Sequence, residues 1–334
     1  MTRDPKWTPR ETYAYALAYI GTRGVPALSR LMADEEEWRT EGLWNLQQCA
    51  AALGSLGPTA AAARPALMQA LTRSYQGFGG EYNEMAKAFQ LTPDEAASEI
   101  KIVLIQALVN VSDPQREVRD DLMRYMEAEK SPKLRLIAAW GVGLLYAEVR
   151  PGLNLAETTL AASDTTDTEL QLAALAVLDD FNSIPEAHEK IGLLLPAIRK
   201  LADGANDDIK DAASKILDNV AQPSINAAIQ WMKKRDFKAA IKEVNTALSI
   251  NPTSTESIQI RAEAERETGD LDGAVKDYSA ALDSSDYVFW AQHALKNAGL
   301  LDGELTGEID EETRKALPKC VRDDKCYAML KQFN

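Results

Sequence analysis

Histidine is nearly absent from this chain: His188 and His293 are the only two in 334 residues, and neither sits in a metal-ligand or nucleophile motif. Cysteine is scarce as well, and its three copies, Cys49, Cys320 and Cys326, lack the spacing of a zinc site. No glycine-rich phosphate loop is present. Basic residues are outnumbered by acidic ones, 37 to 51, for a net charge of −14. That charge repels phosphate backbones, whereas nucleic-acid binders cluster Lys and Arg to release counterions, so no nucleic-acid partner is expected. No apolar run reaches the roughly 18 residues of a membrane-spanning helix, so no transmembrane segment is expected. The start, Met1-Thr2-Arg3-Asp4-Pro5, lacks the apolar core of a signal peptide. A cytoplasmic protein and an exported one whose signal has been removed both stay open.

Catalysis is not expected either. Many Asp and Glu residues are available, but carboxylate catalysis needs two groups held across a cleft with displaced pKa values, and no spacing points to such a pair. No catalytic residue, cofactor or metal is therefore assigned. The acidic residues are spread over helix faces, as on a solvated exterior, although a basic partner would also suit them. Hydrophobic residues make up 46% and charged residues 26%, the composition of a chain that buries a core.

What the chain does have is internal repetition. The segment Leu134-Arg135-Leu136-Ile137-Ala138-Ala139-Trp140 recurs as Leu170-Gln171-Leu172-Ala173-Ala174-Leu175 and again as Ile209-Lys210-Asp211-Ala212-Ala213-Ser214. Ala138, Ala173 and Ala212 are expected to share one packing role. Between the copies lie second helices with Pro near the start, as in Leu195-Pro196-Ala197-Ile198 and Arg64-Pro65-Ala66-Leu67. Pro fits a helix's first turn, where its missing N–H costs nothing, and the apolar i, i+3, i+4 stripe marks a buried face. Each unit is a helical hairpin that must stack on the next to bury its apolar side. The run Ala51 to Pro58, followed by Ala62 to Leu71, resembles the two-helix unit of HEAT repeats. That resemblance implies an all-α solenoid over residues 1–221. One stretch breaks the rhythm: Tyr75-Gln76-Gly77-Phe78-Gly79-Gly80-Glu81-Tyr82 reads as an inserted loop. Its aromatics, Tyr75, Phe78 and Tyr82, are candidate partner-binding residues, with packing back onto the solenoid as the alternative.

After Gln222-Pro223 the period tightens to about 34 residues. Ala240 pairs with Ala274, Val244 with Tyr278, Ala247 with Ala281, and Asp236-Phe237 with Asp270-Leu271. Residues 222–286 resemble two tetratricopeptide repeats, with Trp231 at the large first-helix position and Asn251-Pro252 closing the first copy. Glu265 departs from the pattern, standing where an aromatic is usual. Two copies fall short of the roughly three needed for independent stability, so a neighbouring segment must support them. The resemblance implies a groove for a protein or peptide segment, with Asn226, Gln230, Lys233 and Lys234 as candidate groove residues.

In residues 287–334 a helix over Trp290 to Asn297 is expected to end at Gly299, with turns at Asp302-Gly303 and Thr306-Gly307. A second helix should begin near Asp310 and stop before Pro318. The pattern Trp290, Gln292, Leu295, Gly299, Asp302, Gly303, Gly307, Ile309, Thr313, Ala316 and Leu317 resembles the small helical peptidoglycan-binding domain of bacteria. Asp310 and Pro318-Lys319-Cys320 depart from it, so the fold transfers better than the glycan binding. A calcium loop starting at Asp302 is disfavoured, because Thr313 stands where a bidentate Glu must close the coordination sphere. Cys320 and Cys326 are close enough in sequence to bridge or to stay as two thiols. A bridge would signal an oxidising compartment. The expected architecture is thus all-α: a HEAT-like solenoid, a short tetratricopeptide array and a small terminal helical domain. The expected role is a non-catalytic scaffold or adaptor for a protein segment, with peptidoglycan binding as the alternative.

Overall fold

Short polar side chains placed just ahead of apolar periodic segments start most helices. The computed structural model describes residues 14, 17–34, 43–75, 92–112, 116–162, 167–282, 284–302 and 304–331. Among them every regular element is a helix, so the chain is all-α. No helix among the described residues is long and apolar enough to cross a membrane. Two compact units are formed, residues 1–194 and 195–334.

The first unit contains α1 (Val25–Ala33), α2 (Leu43–Ser55), α3 (Arg64–Leu71), α4 (Pro93–Val111), α5 (Arg116–Ala128), α6 (Pro132–Tyr146), α7 (Arg150–Ala161) and α8 (Thr168–Phe181). Thr92 and Glu95 cap α4 reciprocally, Ser131 accepts from the Leu134 N–H, and Asp167 accepts from the Leu170 N–H. Each cap satisfies a backbone donor that the helix itself cannot. Pro65 lies in the first turn of α3, as its position implies. The core gathers Leu28, Leu53, Leu67, Leu104 and Leu122 with small residues such as Ala50, Ala52 and Ala139. Close approach of helices is enforced at Phe181, whose ring fills the space beside Gly143 and Gly152; a Cβ on Gly143 would stand 2.2 Å from Phe181 Cζ.

Helix α9 (His188–Ala202) carries Pro196 in its interior. The expected start at Pro196 is therefore replaced by an earlier one, after a short 3-10 turn over Pro185–Ala187. Ile191 and Leu194 are both buried ahead of the proline, and that burial extends the helix in the N-terminal direction. The boundary between the two units falls within this helix.

The second unit continues with α10 (Asp207–Lys233), α11 (Phe237–Ile250), α12 (Thr255–Thr268), α13 (Leu271–Ala281), α14 (Ser285–Asn297), α15 (Glu311–Arg322) and α16 (Asp324–Leu330). No break occurs at Gln222-Pro223: Pro223 lies inside α10, so the expected boundary after residue 221 falls within one helix. The residues paired at about 34 in the sequence share burial. Ala240, Val244 and Ala247 of α11 are buried, as are their counterparts Ala274, Tyr278 and Ala281 of α13. Asp236 caps α11 and Asp270 caps α13 with the same side-chain geometry. Helices α12 and α13 pack on the C-terminal helices: Ile258, Ala262 and Tyr278 share one apolar core with Tyr287, Leu295, Leu317 and Leu330.

Two smaller expectations shift. The alanine fully buried in all three recurring segments is Ala139, Ala174 and Ala213, one residue beyond the position proposed from sequence; Ala173 and Ala212 are only partly covered. Helix α15 runs through Pro318 to Arg322 instead of stopping before it. Leu317, Cys320 and Val321 are buried on one face, and their burial outweighs the hydrogen bond that the proline forfeits.

Candidate functional site

Helix α10 ends at Lys233, two residues before a left-handed residue, Arg235, at φ +57°. The equivalent position after α12 is Gly269, at φ +90°. Glycine tolerates this region freely, whereas a residue with a Cβ pays about 1–2 kcal/mol. Asp236 then caps α11 and fixes the turn.

Around this turn lies a recess of about 340 Å³. Two carboxylates, Glu263 and Glu267, come from α12, and three cations, Lys233, Arg235 and Lys331, surround them; Met232 and Phe237 supply the apolar wall. Glu263 is only 2% exposed, which puts its carboxylate at the floor. Glu267, Lys233 and Arg235 are exposed. Among the described residues, Lys233, Arg235 and Lys331 form no ion pair. The neighbouring Arg266 is differently committed: it donates to Val321 O at 2.9 Å, pairs with Asp324 and lies over the Tyr327 ring. Behind Glu263 stand Tyr278, Tyr287 and Tyr327. Burial first, and then the Glu263 charge, pushes the ionisation of all three upward. Their hydroxyls are buried and make no hydrogen bond of good geometry among the described residues.

The candidate groove residues Asn226, Gln230, Lys233 and Lys234 are all exposed and follow helical spacing along one side of α10. Gln222 Nε2 donates to Asn226 Oδ1 at 3.2 Å, and Lys234 Nζ lies 4.6 Å from the centre of the Trp231 ring. Only Lys233 reaches the recess. Sequence reasoning missed its other members, although Glu263 left a trace: a carboxylate three residues after Ile260 on a buried stripe.

Tyr75 is not presented to solvent. It is buried, and its hydroxyl donates to Ala70 O at 2.5 Å, the packed-back arrangement rather than the displayed one. Phe78 and Tyr82 lie outside the described residues, as does Gly303.

The remaining residues of the C-terminal pattern hold the segment together. Gln292 is fully buried; its Nε2 donates to Glu308 O at 2.9 Å and to Thr306 Oγ1 and Thr313 Oγ1 at 3.3 Å. Its Oε1 accepts from the N–H groups of Thr306 and Gly307, at 3.1 and 3.0 Å. Leu295 and Thr313 are buried, Gly299 and Gly307 take the left-handed region at φ +70°, and Asp302 is exposed. Trp290 is 41% exposed and donates through Nε1 to Leu330 O at 3.1 Å; Phe289 beside it is half-exposed. Cys320 and Cys326 are joined as a disulfide, with both residues buried.

Two recesses in the first unit are bounded by committed charges. In one, of about 450 Å³, Glu129 accepts from Lys101 Nζ, the Tyr125 hydroxyl and the N–H groups of Lys130 and Ser131. Burial pushes the Glu129 pKa up, but the Ser131 N–H, Tyr125 and Lys101 together bring it down to about 2. A carboxylate so held is a poor proton acceptor at neutral pH. In the other, of about 580 Å³, Lys133 bridges Glu99 and Glu169, both at 2.9 Å, across three helix starts. His188 and His293 are exposed and make local contacts to Asn182 O and Asn297. Among the described residues, no group of three or more His, Cys, Asp or Glu side chains is placed to hold a metal ion. Compared with known proteins, the chain matches no family and no curated sequence.

Proposed function

We propose that this protein is a non-catalytic scaffold that holds a segment of a partner protein on the surfaces of stacked helical repeats. In this reading the first unit is a HEAT-like solenoid and the paired helices α10–α13 are two tetratricopeptide-like repeats. The observation that carries it is the free side of α10. Asn226, Gln230, Lys233 and Lys234 are exposed in helical register while the opposite side, Ile225, Ala228 and Met232, is buried. A polar stripe on a rigid helix, ending at a recess, suits a polypeptide better than a reacting small molecule. Affinity capture from native lysate, with wild type beside a variant carrying alanine at all four positions, tests it. A stoichiometric partner retained by wild type and lost by the folded variant is the expected result.

A second reading is favoured by the half-exposed aromatic pair Phe289 and Trp290 together with the buried disulfide. Exposed aromatic faces suit sugar rings, and disulfides persist in oxidising compartments. An exported protein docked on peptidoglycan through its last helices would use both. Sedimentation with purified peptidoglycan decides it. Binding abolished by Trp290→Ala and Phe289→Ala supports this reading, and no sedimentation removes it.

A further inference from the structure

Helices α4, α6 and α8 of the first unit pack side by side, with α6 in the middle. Two contacts fix their register. Near the helix starts Lys133 bridges Glu99 and Glu169, and towards the other end Trp140 Nε1 donates to Asp180 Oδ2 at 2.6 Å. Between these polar contacts the surface is apolar. Ile102, three residues after Glu99, Ile137, four after Lys133, and Leu172, three after Glu169, are all half-buried, as is Trp140 on the next turn. Leu144, one turn further along α6, is 39% exposed. An apolar stripe left open across three adjacent helices is the kind of patch that marks a partner surface. Its central ring is already set: the bond to Asp180 holds Trp140 in place, so little side-chain freedom is lost when a partner covers it.

Charge decides what covers the stripe. The recess of about 580 Å³ at the helix starts carries Glu95, Glu99, Asp167 and Glu169 against one cation, Lys133. Lys133 takes one oxygen of Glu99 and one of Glu169, whose side chains stay 45% and 68% exposed. Asp180, exposed at the opposite end, has the same sign. A second copy of this chain would bring its own net charge of −14 towards this rim, and the phosphates of anionic lipids would be repelled likewise. A positively charged polypeptide is attracted instead. Side chains repeating along parallel helix faces leave grooves in which another helix packs its own ridge.

We propose that the open face of α4, α6 and α8 docks a basic amphipathic helix of a partner protein, its apolar side covering Ile137, Trp140 and Leu144 and its lysines or arginines meeting Glu99, Glu169 and Asp180. This face belongs to the first unit and the α10 stripe to the second. The inference therefore adds a docking face to the scaffold reading and is measured apart from it.

Fluorescence anisotropy on the full chain tests the proposal with a labelled, end-blocked peptide made of two copies of Lys-Leu-Leu-Lys-Leu-Leu-Lys, which gathers its leucines on one helical face. Controls are a scrambled peptide of the same composition and a version with Glu for every Lys. The amphipathic basic peptide is expected to bind about tenfold or more tightly than either control. Leu144→Asp should weaken that binding about tenfold even though it adds a negative charge, and Glu99→Gln combined with Glu169→Gln should weaken it to a similar degree. Leu193→Asp adds the same charge at a leucine 69% exposed on α9 and should leave binding unchanged. Thermal melts confirm that the variants stay folded. Equal binding of the scrambled peptide, binding unchanged in Leu144→Asp, an equal loss in Leu193→Asp, or no binding of any probe would overturn the assignment. So would a sedimenting dimer that Leu144→Asp dissolves, because a second copy would then be the occupant. Failed capture on α10 with peptide binding intact would sink the α10 reading alone.

Discussion

Arg235 and Gly269 stand at the same point of successive helix pairs, both with positive φ and each one residue before the aspartate that caps the following helix. One copy meets the conformational demand with glycine and the other with a side chain that pays for it. Arg235→Gly is therefore expected to stabilise the protein. The left-handed penalty of about 1–2 kcal/mol is removed and roughly half of it is returned as glycine entropy. Chemical denaturation should show a gain of about 0.5–1 kcal/mol, and a loss instead would mean that the guanidinium is structural.

The packing of Phe181 against two glycines makes a sharper prediction for the first unit. Gly143→Ala would place a methyl group within 2.2 Å of the Phe181 ring, and Gly152→Ala would place one within 2.6 Å. Neither ring neighbour is the far end of a flexible chain, so each substitution should cost about 1–3 kcal/mol. Thermal melts of the two variants check this. Phe181→Leu in the Gly143→Ala background should recover part of the loss.

Gln292 supports the segment between α14 and α15 from a fully buried position. Gln292→Leu keeps the volume but strands the N–H groups of Thr306 and Gly307 and the carbonyl of Glu308. The expected cost is about 1–3 kcal/mol, since partly buried backbone groups that lose their partner forfeit a hydrogen bond and part of their desolvation. Hydrogen exchange should show the loss concentrated at residues 304–310.

Glu265 gives a pH dependence. Burial first, then the Asp277 carboxylate, raises its pKa from 4.5 to about 7, with Asp270 acting in the same sense and Arg261 and Lys276 opposing. Its Oε2 is buried without a hydrogen-bond partner. The folded state therefore holds the proton more tightly than the unfolded chain. The contribution of Glu265 to stability is fully present below pH 4.5, falls as the pH rises towards 7, and is lost above it. Solvent screening reduces the full effect, so about 1 kcal/mol is expected. Glu265→Gln should raise Tm by about 2–4 °C at pH 8 and leave it unchanged at pH 4.5. An equal rise at both pH values would rule out ionisation as the cause.

Local chemistry made much of this fold legible. Ser131, Asp167, Asp236 and Asp270 announce helix starts, and the pairs Ala240/Ala274 and Val244/Tyr278 announce buried positions, because caps and apolar stripes act over a few residues. Pro196 and Pro318 misled for the converse reason. Each breaks a helix locally, but the burial of Leu194, Leu317 and Val321 carries the helix through. The candidate site was legible only at Lys233. Lys331 joins Lys233 and Glu263 through the packing of the last helices on α12 and α13, and no spacing along the chain encodes that arrangement.

The scaffold account stands or falls on whether the free side of α10 holds a polypeptide. Affinity capture from native lysate, quantified for wild type and for the variant with Asn226, Gln230, Lys233 and Lys234 all replaced by alanine, measures this directly. The account predicts one stoichiometric protein recovered with wild type and lost from a variant whose melting curve is unchanged. Recovery of the same protein by both, or of none by wild type, would contradict it.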